Sequence, residues 1–143
     1  MNFIFDDGGR KAAGFKGNAG DCVIRAISIA TGKPYREVYN AVNLLAKRER
    51  VGKHEKRSSA RNGVHKETYH RYLKSIGWRW VPTMGIGTGC RMHLAEGELP
   101  MGKIIARLSK HLTVVIDGAI HDTSDPQRIT HRCVYGYFVE GLK

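Results

Sequence analysis

The dipeptide Asp117-Gly118 constrains the fold of this chain more than any other feature, because it predicts a two-residue β-hairpin turn. It lies between two runs that favour β-structure, His111–Ile116 before the turn and Ala119–Asp122 after it. A two-residue turn of this kind leaves only one register for the strands that it joins. We therefore expect an antiparallel hairpin over residues 111–122.

This register has a chemical consequence. When residue pairs are counted outward from the turn, Thr113 faces Asp122 and His111 faces Ser124. Residues two apart on a strand share a face of the sheet, so Asp122 becomes a diagonal neighbour of His111. The hairpin thus predicts an imidazole and a carboxylate within reach of each other, and it points His121 to the opposite face.

The rest of the chain separates into a helical part and a β part. The spacing of apolar residues predicts helices over about 22–31, 34–45 and 66–76, with Asp21 as the N-cap of the first helix and Thr31-Gly32 as its end. Strands are predicted over 3–5, 78–81, 103–108, 111–116, 119–122 and 133–139. Because helices come first and antiparallel strands second, we expect an α+β fold in one domain covering residues 1–143.

The chain is basic, with a net charge of +11, and this charge is unevenly distributed. Residues 47–66, which begin at Lys47 and end at Lys66, contain eight Lys or Arg and two Glu, together with Ser58, Ser59 and Asn62-Gly63. The run has no apolar periodicity, so it is predicted to be a mobile loop. It is either a solvated charged segment or a docking site for an acidic protein or a nucleic acid.

The residues around Cys22 suggest a reactive thiol. A Gly- and Asn-containing approach ends at Cys22, and an apolar helical pattern begins at the next residue. A thiol in the first turn of a helix is close to free backbone N–H groups and to the positive end of the helix dipole, which favour the thiolate. The alternative is that Cys22 is a small buried core residue, since free cysteine is often buried.

The chain resembles the papain-like cysteine peptidases in their compact form. The resemblance lies in residues 18–31, in residues 110–126 and, less specifically, in residues 132–137. The likeness is greatest to bacteriocin-processing peptidase domains of exporters and to small proteins encoded by bacteriophages. It implies N-terminal helices packed on a C-terminal antiparallel sheet. It also implies Cys22 as nucleophile, His111 as general base and Asp122 as the acid that orients the imidazole.

Two further residues belong to this expectation. The resemblance implies an Asn or Gln shortly before the cysteine that donates to the oxyanion, and Asn18 matches it; the Cys22 backbone N–H would be the other donor. The alternative for Asn18 is that it only shapes its loop. Asp125 lies beyond the strand end and is the fallback for the acid. The alternative for His111 is an exposed residue at a strand edge.

The remaining sequence features argue against other classes of site. Cys90 and Cys133 have no metal-ligand spacing around them, so no zinc site, other metal or cofactor is predicted, and they are taken as a loop thiol and a strand residue rather than as a disulfide. No membrane span and no secretory signal is expected. The expected location is the cytoplasm, or the host cytoplasm if the protein is phage-encoded.

These features predict a cysteine peptidase or isopeptidase that uses a Cys-His-Asp triad on a peptide or protein substrate. A transferase would use the same acyl-enzyme, and the sequence does not separate the two. The alternative is a non-catalytic basic adaptor or nucleic-acid-binding protein on the same fold.

Overall fold

The structure is a computed structural model that describes residues 1–141. It contains three helices and six strands, in the order β1 (Phe3–Phe5), α1 (Cys22–Thr31), α2 (Tyr35–Ala46), α3 (Lys66–Ser75), β2 (Trp78–Pro82), β3 (Lys103–Leu108), β4 (His111–Ile116), β5 (Ala119–Asp122) and β6 (Gly136–Glu140). The α+β class expected from the sequence is confirmed.

The six strands form one sheet in the order β1-β5-β4-β3-β6-β2. All neighbouring strands are antiparallel except β1, which pairs in parallel with β5. The expectation of a wholly antiparallel, C-terminal sheet is therefore wrong in this detail. Strand β1 forms one edge of the sheet, where it pairs with the side of β5 that faces away from β4. In this pairing, Ile120 N–H donates to the Asn2 carbonyl over 2.8 Å.

The hairpin itself has the predicted register, with Ile116 opposite Ala119 and Val114 opposite His121. Asp117 and Gly118 at its turn have φ values of 48° and 81°. Two consecutive positive φ values match the twist of the flanking strands, and Asp-Gly accommodates them at low cost. The turn chemistry that is visible in the sequence thus sets the register of the strands that follow.

Side chains of alternating residues on the strands enter two separate apolar clusters. Ile105 and Val114 pack in the cluster formed by the three helices, whereas Ile104 and Val115 pack in a second cluster with Leu94. Adjacent residues on a strand point to opposite faces, so the sheet lies between the helices and the irregular segment that contains Leu94. This arrangement covers both faces of β4, the strand that carries His111.

Helix α1 packs against β4 and contacts β3 and β5. Gly32 ends this helix at φ 75°, where its N–H donates to the Ser28 carbonyl over 2.9 Å, as the Thr31-Gly32 signal predicts. Asp21 precedes the helix, but its side chain makes no capping hydrogen bond. Asp21 therefore occupies the predicted N-cap position, but its carboxylate is bound by other groups and does not cap the helix.

Strand β6 begins at Gly136, three residues later than predicted. Residues 132–134 pair instead with the segment around His93, where Leu94 N–H donates to the Arg132 carbonyl and Val134 N–H donates to the Met92 carbonyl, both over 2.8 Å. Cys133 lies in this pairing and forms a disulfide with Cys90, with a Cα–Cα distance of 5.9 Å. The expectation of two unpaired thiols at these positions is wrong, and Cys22 is the free cysteine.

Candidate active site

A cavity of about 650 Å³ lies over the first turn of α1. Its wall is formed by the residues that lead into Cys22, by the segment that leads into α3, and by the turn between β3 and β4. Cys22 is the first residue of α1, so its backbone N–H has no carbonyl partner within the helix. The thiol is thus presented at a helix N-terminus beside a space large enough to hold part of a ligand.

His111 reaches the same cavity from the start of β4, and it is held there by Asp122. The His111 Nε2 atom lies 2.7 Å from Asp122 Oδ2, the same oxygen that accepts a 2.8 Å hydrogen bond from the Thr113 hydroxyl. The other oxygen, Oδ1, accepts from the Thr123 backbone N–H over 2.7 Å. Asp122 is 3% exposed, so this carboxylate is buried and fully engaged.

Cys22 and His111 each change the pKa of the other. Burial works against a charged imidazole, but hydrogen bonding to Asp122 and Cys22 outweighs it and raises the pKa of His111 to about 9. Burial likewise raises the pKa of the Cys22 thiol, but hydrogen bonding with His111 and the Leu112 backbone outweighs burial and lowers this pKa below that of an ordinary thiol. Both changes favour a thiolate–imidazolium pair.

The carboxylate of Asp122 responds in the same sense. Its burial raises the pKa, and its hydrogen bonds with His111 and Thr113 lower it further than burial raises it, so Asp122 stays ionised at neutral pH. An ionised acid behind the imidazole fixes one ring orientation and stabilises the imidazolium.

Arg25 connects the acid to the helix that carries the thiol. It lies one turn after Cys22 in α1, and its guanidinium pairs with Asp21 and also approaches Asp122, with Nη2 3.6 Å from Oδ1. Its positive charge is among the causes that lower the pKa of the Cys22 thiol. A single side chain thus ties the cysteine helix to the acid of the hairpin.

Asp21 is adjacent to the thiol in sequence, but its charge is balanced by the cations that pair with it. Its carboxylate is 2% exposed, accepts a hydrogen bond from the Tyr35 hydroxyl over 2.5 Å and pairs with Arg25 and Arg10. Burial raises the pKa of Tyr35, and its hydrogen bond to the Asp21 carboxylate raises it further. The negative charge therefore does not oppose a thiolate at Cys22.

Asn18, the predicted oxyanion donor, does not line the cavity. Its side chain is exposed, and its backbone carbonyl is held by the Arg61 guanidinium over 3.0 Å. Asn62 lies in the cavity wall instead, on a turn that docks against the approach to the cysteine through the Gly20 N–H and the Arg61 carbonyl, 2.7 Å apart. The contacts of Arg61 with the Lys16 and Asn18 carbonyls hold this loop outside the cavity wall.

Asp125, the fallback acid, is turned away from the imidazole. Its Oδ1 accepts from the Gln127 backbone N–H over 2.9 Å, and both oxygens lie 3.0 Å from Gln127 Nε2. The structure therefore brings Cys22, His111 and Asp122 together and leaves Asp125 in a neighbouring turn.

Several residues of the cavity wall have no signal in the sequence that ties them to Cys22. Tyr69 of α3 is 5% exposed, and the charge on Cys22 contributes to its raised pKa after the larger effect of burial. Three cations from separate elements also face the cavity: Lys66, Arg107 and Lys110. Only the tertiary fold places them there, because they come from α3, from β3 and from the β3–β4 turn.

The basic run 47–66, predicted to be a mobile loop, makes hydrogen bonds to neighbouring elements at several points. Glu49 turns inward, where it accepts from the Ser58 N–H over 2.7 Å and binds the Thr68 hydroxyl. Ala60 is fully buried, and its N–H donates to Asn43 Oδ1 over 2.8 Å. The lysines and arginines between these anchor points remain at the surface.

Within residues 1–141, no group of three or more His, Cys, Asp or Glu side chains is arranged to hold a metal ion. Over the same residues, no helix has the length and apolar character needed to cross a bilayer.

The site is best described as an activated thiol with an oriented imidazole behind it, an arrangement suited to attack on a carbonyl carbon.

No protein-family model, curated protein or solved structure matches this chain.

Proposed function

We propose that this protein is a cysteine hydrolase with a papain-like arrangement that cleaves a peptide or isopeptide bond through an acyl-enzyme. The observation that carries the proposal is the arrangement of three side chains at the cavity. Buried Asp122 binds the imidazole of His111, and His111 lowers the pKa of the free thiol of Cys22. A buried acid, an imidazole and a thiol at a helix N-terminus meet the requirements of an activated nucleophile.

In the first half of the reaction, Cys22 Sγ forms a bond to the substrate carbonyl carbon while the imidazolium of His111 gives its proton to the departing amine. The carbon–nitrogen bond then breaks and leaves a thioester on Cys22. In the second half, His111 takes a proton from water, the hydroxide oxygen attacks the thioester, and the carbon–sulfur bond breaks. An amine in place of water would make the same site a transferase.

Each half passes through a tetrahedral intermediate, and the oxyanion of that intermediate needs donors at fixed positions. The Cys22 backbone N–H is one such donor, because it has no partner within α1. For the second donor, we propose a cavity side chain, Asn62 or Tyr69, in place of the predicted Asn18. A comparison of Asn62→Ala and Tyr69→Phe with Asn18→Ala tests this, and a rate loss confined to Asn18→Ala would reverse the assignment.

The first experiment measures alkylation of Cys22 by iodoacetamide at pH 7 without reductant, with Cys22→Ala as the blank. The disulfide between Cys90 and Cys133 leaves one reactive thiol, so the stoichiometry is expected to be one label per chain. We expect Cys22 to react faster than N-acetylcysteinamide. A rate no greater than that of the small thiol, in folded protein, would contradict the proposed nucleophile.

The second experiment uses a panel of peptides with an electrophilic acyloxymethyl ketone at the C-terminus. Covalent labelling that requires Cys22 and His111, followed by cleavage of the matching amide peptides, would establish hydrolysis. Labelling that is equal in folded and urea-unfolded protein would show that no recognition site surrounds the thiol.

A second function is supported by one separate observation, the surface charge of residues 47–57. Lys47, Arg48, Arg50, Lys53 and Lys56 have no carboxylate within ion-pair distance in the described part of the chain, since Glu49 is turned toward Ser58 and Thr68. Such a surface favours a nucleic acid or an acidic protein. Binding to DNA or RNA that weakens steeply with salt and survives Cys22→Ala would support this function.

A further inference from the structure

The positive charge of the cavity wall extends beyond the groups that activate the thiol. Arg25 is neutralised by Asp21 and Asp122, which leaves Lys66, Arg107 and Lys110. Within residues 1–141, none of these three cations has a carboxylate at ion-pair distance. The cavity therefore holds three cations without a partner around one free thiol.

Arg107 is the most firmly placed of the three. It lies on β3, where it pairs with Leu112 of β4 and Gly136 of β6, and its guanidinium lies 5.9 Å from the ring centroid of Trp80 and 5.8 Å from that of Tyr135. Stacking on aromatic rings restrains a guanidinium and leaves its N–H groups free to donate. A side chain held in this way is suited to a planar anion such as a carboxylate.

The cavity continues past Arg107 into a second, more apolar groove. Arg107 and Tyr135 belong to the walls of both, and the second groove extends along Trp80 and Met84 to Ile86, whose side chain is fully exposed. An extended chain that enters over Cys22 can therefore pass Arg107 before it reaches an apolar surface. This geometry suits a peptide in which a charged group precedes or follows the bond that is attacked.

His70 supplies a second indication that the cations act on the same region. It packs against Trp80 and Phe138, and its pKa is lowered first by burial and then by the charges of Arg107 and Lys66. The charges of Arg107 and Lys66 thus act on a side chain next to Trp80, the ring on which Arg107 stacks.

We propose that this cavity selects substrates with a carboxylate close to the scissile bond, and that Arg107, Lys66 and Lys110 bind that carboxylate. The proposal rests on the proposed function and names the chemical class of its substrate. The carboxylate has two possible sources, an acidic side chain or the free C-terminus of a short peptide. Cations that converge on a cleft with low-dielectric walls raise the local concentration of anions, which gives selectivity for a charged substrate over its neutral analogue.

The first test measures the charge preference of the thiol without any peptide. Iodoacetate and iodoacetamide carry the same leaving group and differ in charge, so the ratio of their rates at Cys22 measures the field at the sulfur. We expect this ratio to exceed that of N-acetylcysteinamide by about tenfold or more. It is expected to fall several-fold in Arg107→Gln and Lys66→Gln, and to stay unchanged in Lys103→Gln, an exposed lysine on the same strand as Arg107 that lies outside the cavity.

The second test separates the two sources of the carboxylate. Short acetylated peptides that contain Glu or Gln at one internal position, each with a free or an amidated C-terminus, compete with iodoacetamide for Cys22. Protection that follows Glu identifies an acidic side chain, and protection that follows the free acid identifies a C-terminus. A dT12 oligonucleotide that protects Cys22 better than every peptide would overturn the peptide assignment in favour of nucleic acid.

The outcomes of these tests separate this proposal from the function on which it rests. A Cys22 that is no more reactive than the small thiol defeats the proposed hydrolase. A reactive Cys22 whose rate ratio is unchanged in Arg107→Gln, Lys66→Gln and Lys110→Gln leaves the hydrolase intact and defeats the charge selectivity. Circular dichroism on each variant identifies any loss of folding. Because Lys66 and Lys110 lie outside the strands, the test of charge selectivity remains possible if Arg107→Gln fails to fold.

Discussion

Replacement of His111 by alanine is the sharpest test of the proposed Cys22–His111–Asp122 site, because the expected loss of thiolate can be calculated from the structure. The rise in the pKa of His111 from 6.5 to about 9 corresponds to roughly 3 kcal/mol of preference for the imidazolium. This preference comes from Asp122 and Cys22 together, after the opposing effect of burial. If about half of it belongs to the thiolate, its loss lowers the thiolate population at fixed pH by roughly 10- to 20-fold.

The dependence on pH has a definite sign. An ordinary thiol with a pKa of about 8.5 is roughly 1% thiolate at pH 6.5, so the loss of alkylation rate in His111→Ala is bounded near 100-fold there. Above pH 9 the wild-type imidazolium loses its proton and the variant thiol ionises by itself. The two proteins are therefore expected to converge to within a few-fold.

The assay is pseudo-first-order alkylation by iodoacetamide from pH 5.5 to 10, followed by intact mass. His121→Ala is the matched control, because this residue adjoins Asp122 on β5 and its side chain makes no hydrogen bond within the described residues. A His111→Ala profile that overlays the wild type at pH 6.5 would refute the reasoning. It would mean that the helix N-terminus alone activates the thiol.

Three other predictions concern stability. Asp122→Asn is expected to lower the unfolding free energy by roughly 2 to 4 kcal/mol at pH 6 in urea unfolding. Because the folded pKa of His111 is raised, the stabilisation from the His111–Asp122 pair is complete below about pH 6.5 and disappears as the pH rises through about 9. An equal loss of free energy at pH 10 would contradict this prediction. Replacement of both Cys90 and Cys133 by serine is expected to lower the unfolding free energy by about 4 kcal/mol, since the disulfide closes a sequence separation of 43 residues. Reductant is then expected to have no further effect on the stability of the variant. Gly136→Ala would place a Cβ 2.3 Å from the ring of Trp80 and is expected to lower the unfolding free energy by about 2 kcal/mol. The control is Gly85→Ala, whose Cβ would lie 3.6 Å from its nearest neighbour and which is expected to leave the stability unchanged. Equal urea midpoints for the two variants would contradict this prediction.

The elements with the strongest local chemistry are those that the sequence predicts most closely. The turn at Asp117-Gly118, the end of α1 at Gly32 and the bounds of β3, β4 and β5 all follow from residues within a few positions of each other. Strand β6 is less well predicted, because its start depends on the pairing of residues 132–134 with a segment forty residues earlier. The disulfide of Cys133 depends on that same long-range pairing.

The candidate site divides in the same way. The register of one hairpin is local, and it was sufficient to predict that His111 and Asp122 can meet, which they do at 2.7 Å. Asn18 was placed by its distance along the chain from Cys22, and its loop is instead directed by Arg61, a residue that packs against it from elsewhere in the fold.

The sequence by itself determined the α+β class, the hairpin register and the position of the thiol at a helix start, because turn chemistry, apolar periodicity and capping act over a few residues. Only the tertiary structure decided that β1 joins the sheet in parallel, that Cys90 meets Cys133, and that Asn62 replaces Asn18 in the cavity wall. It also brought Lys66, Arg107 and Lys110 to one cavity. Contacts of this kind join residues that are far apart in the chain, and they depend on the packing of whole elements, which no local pattern encodes.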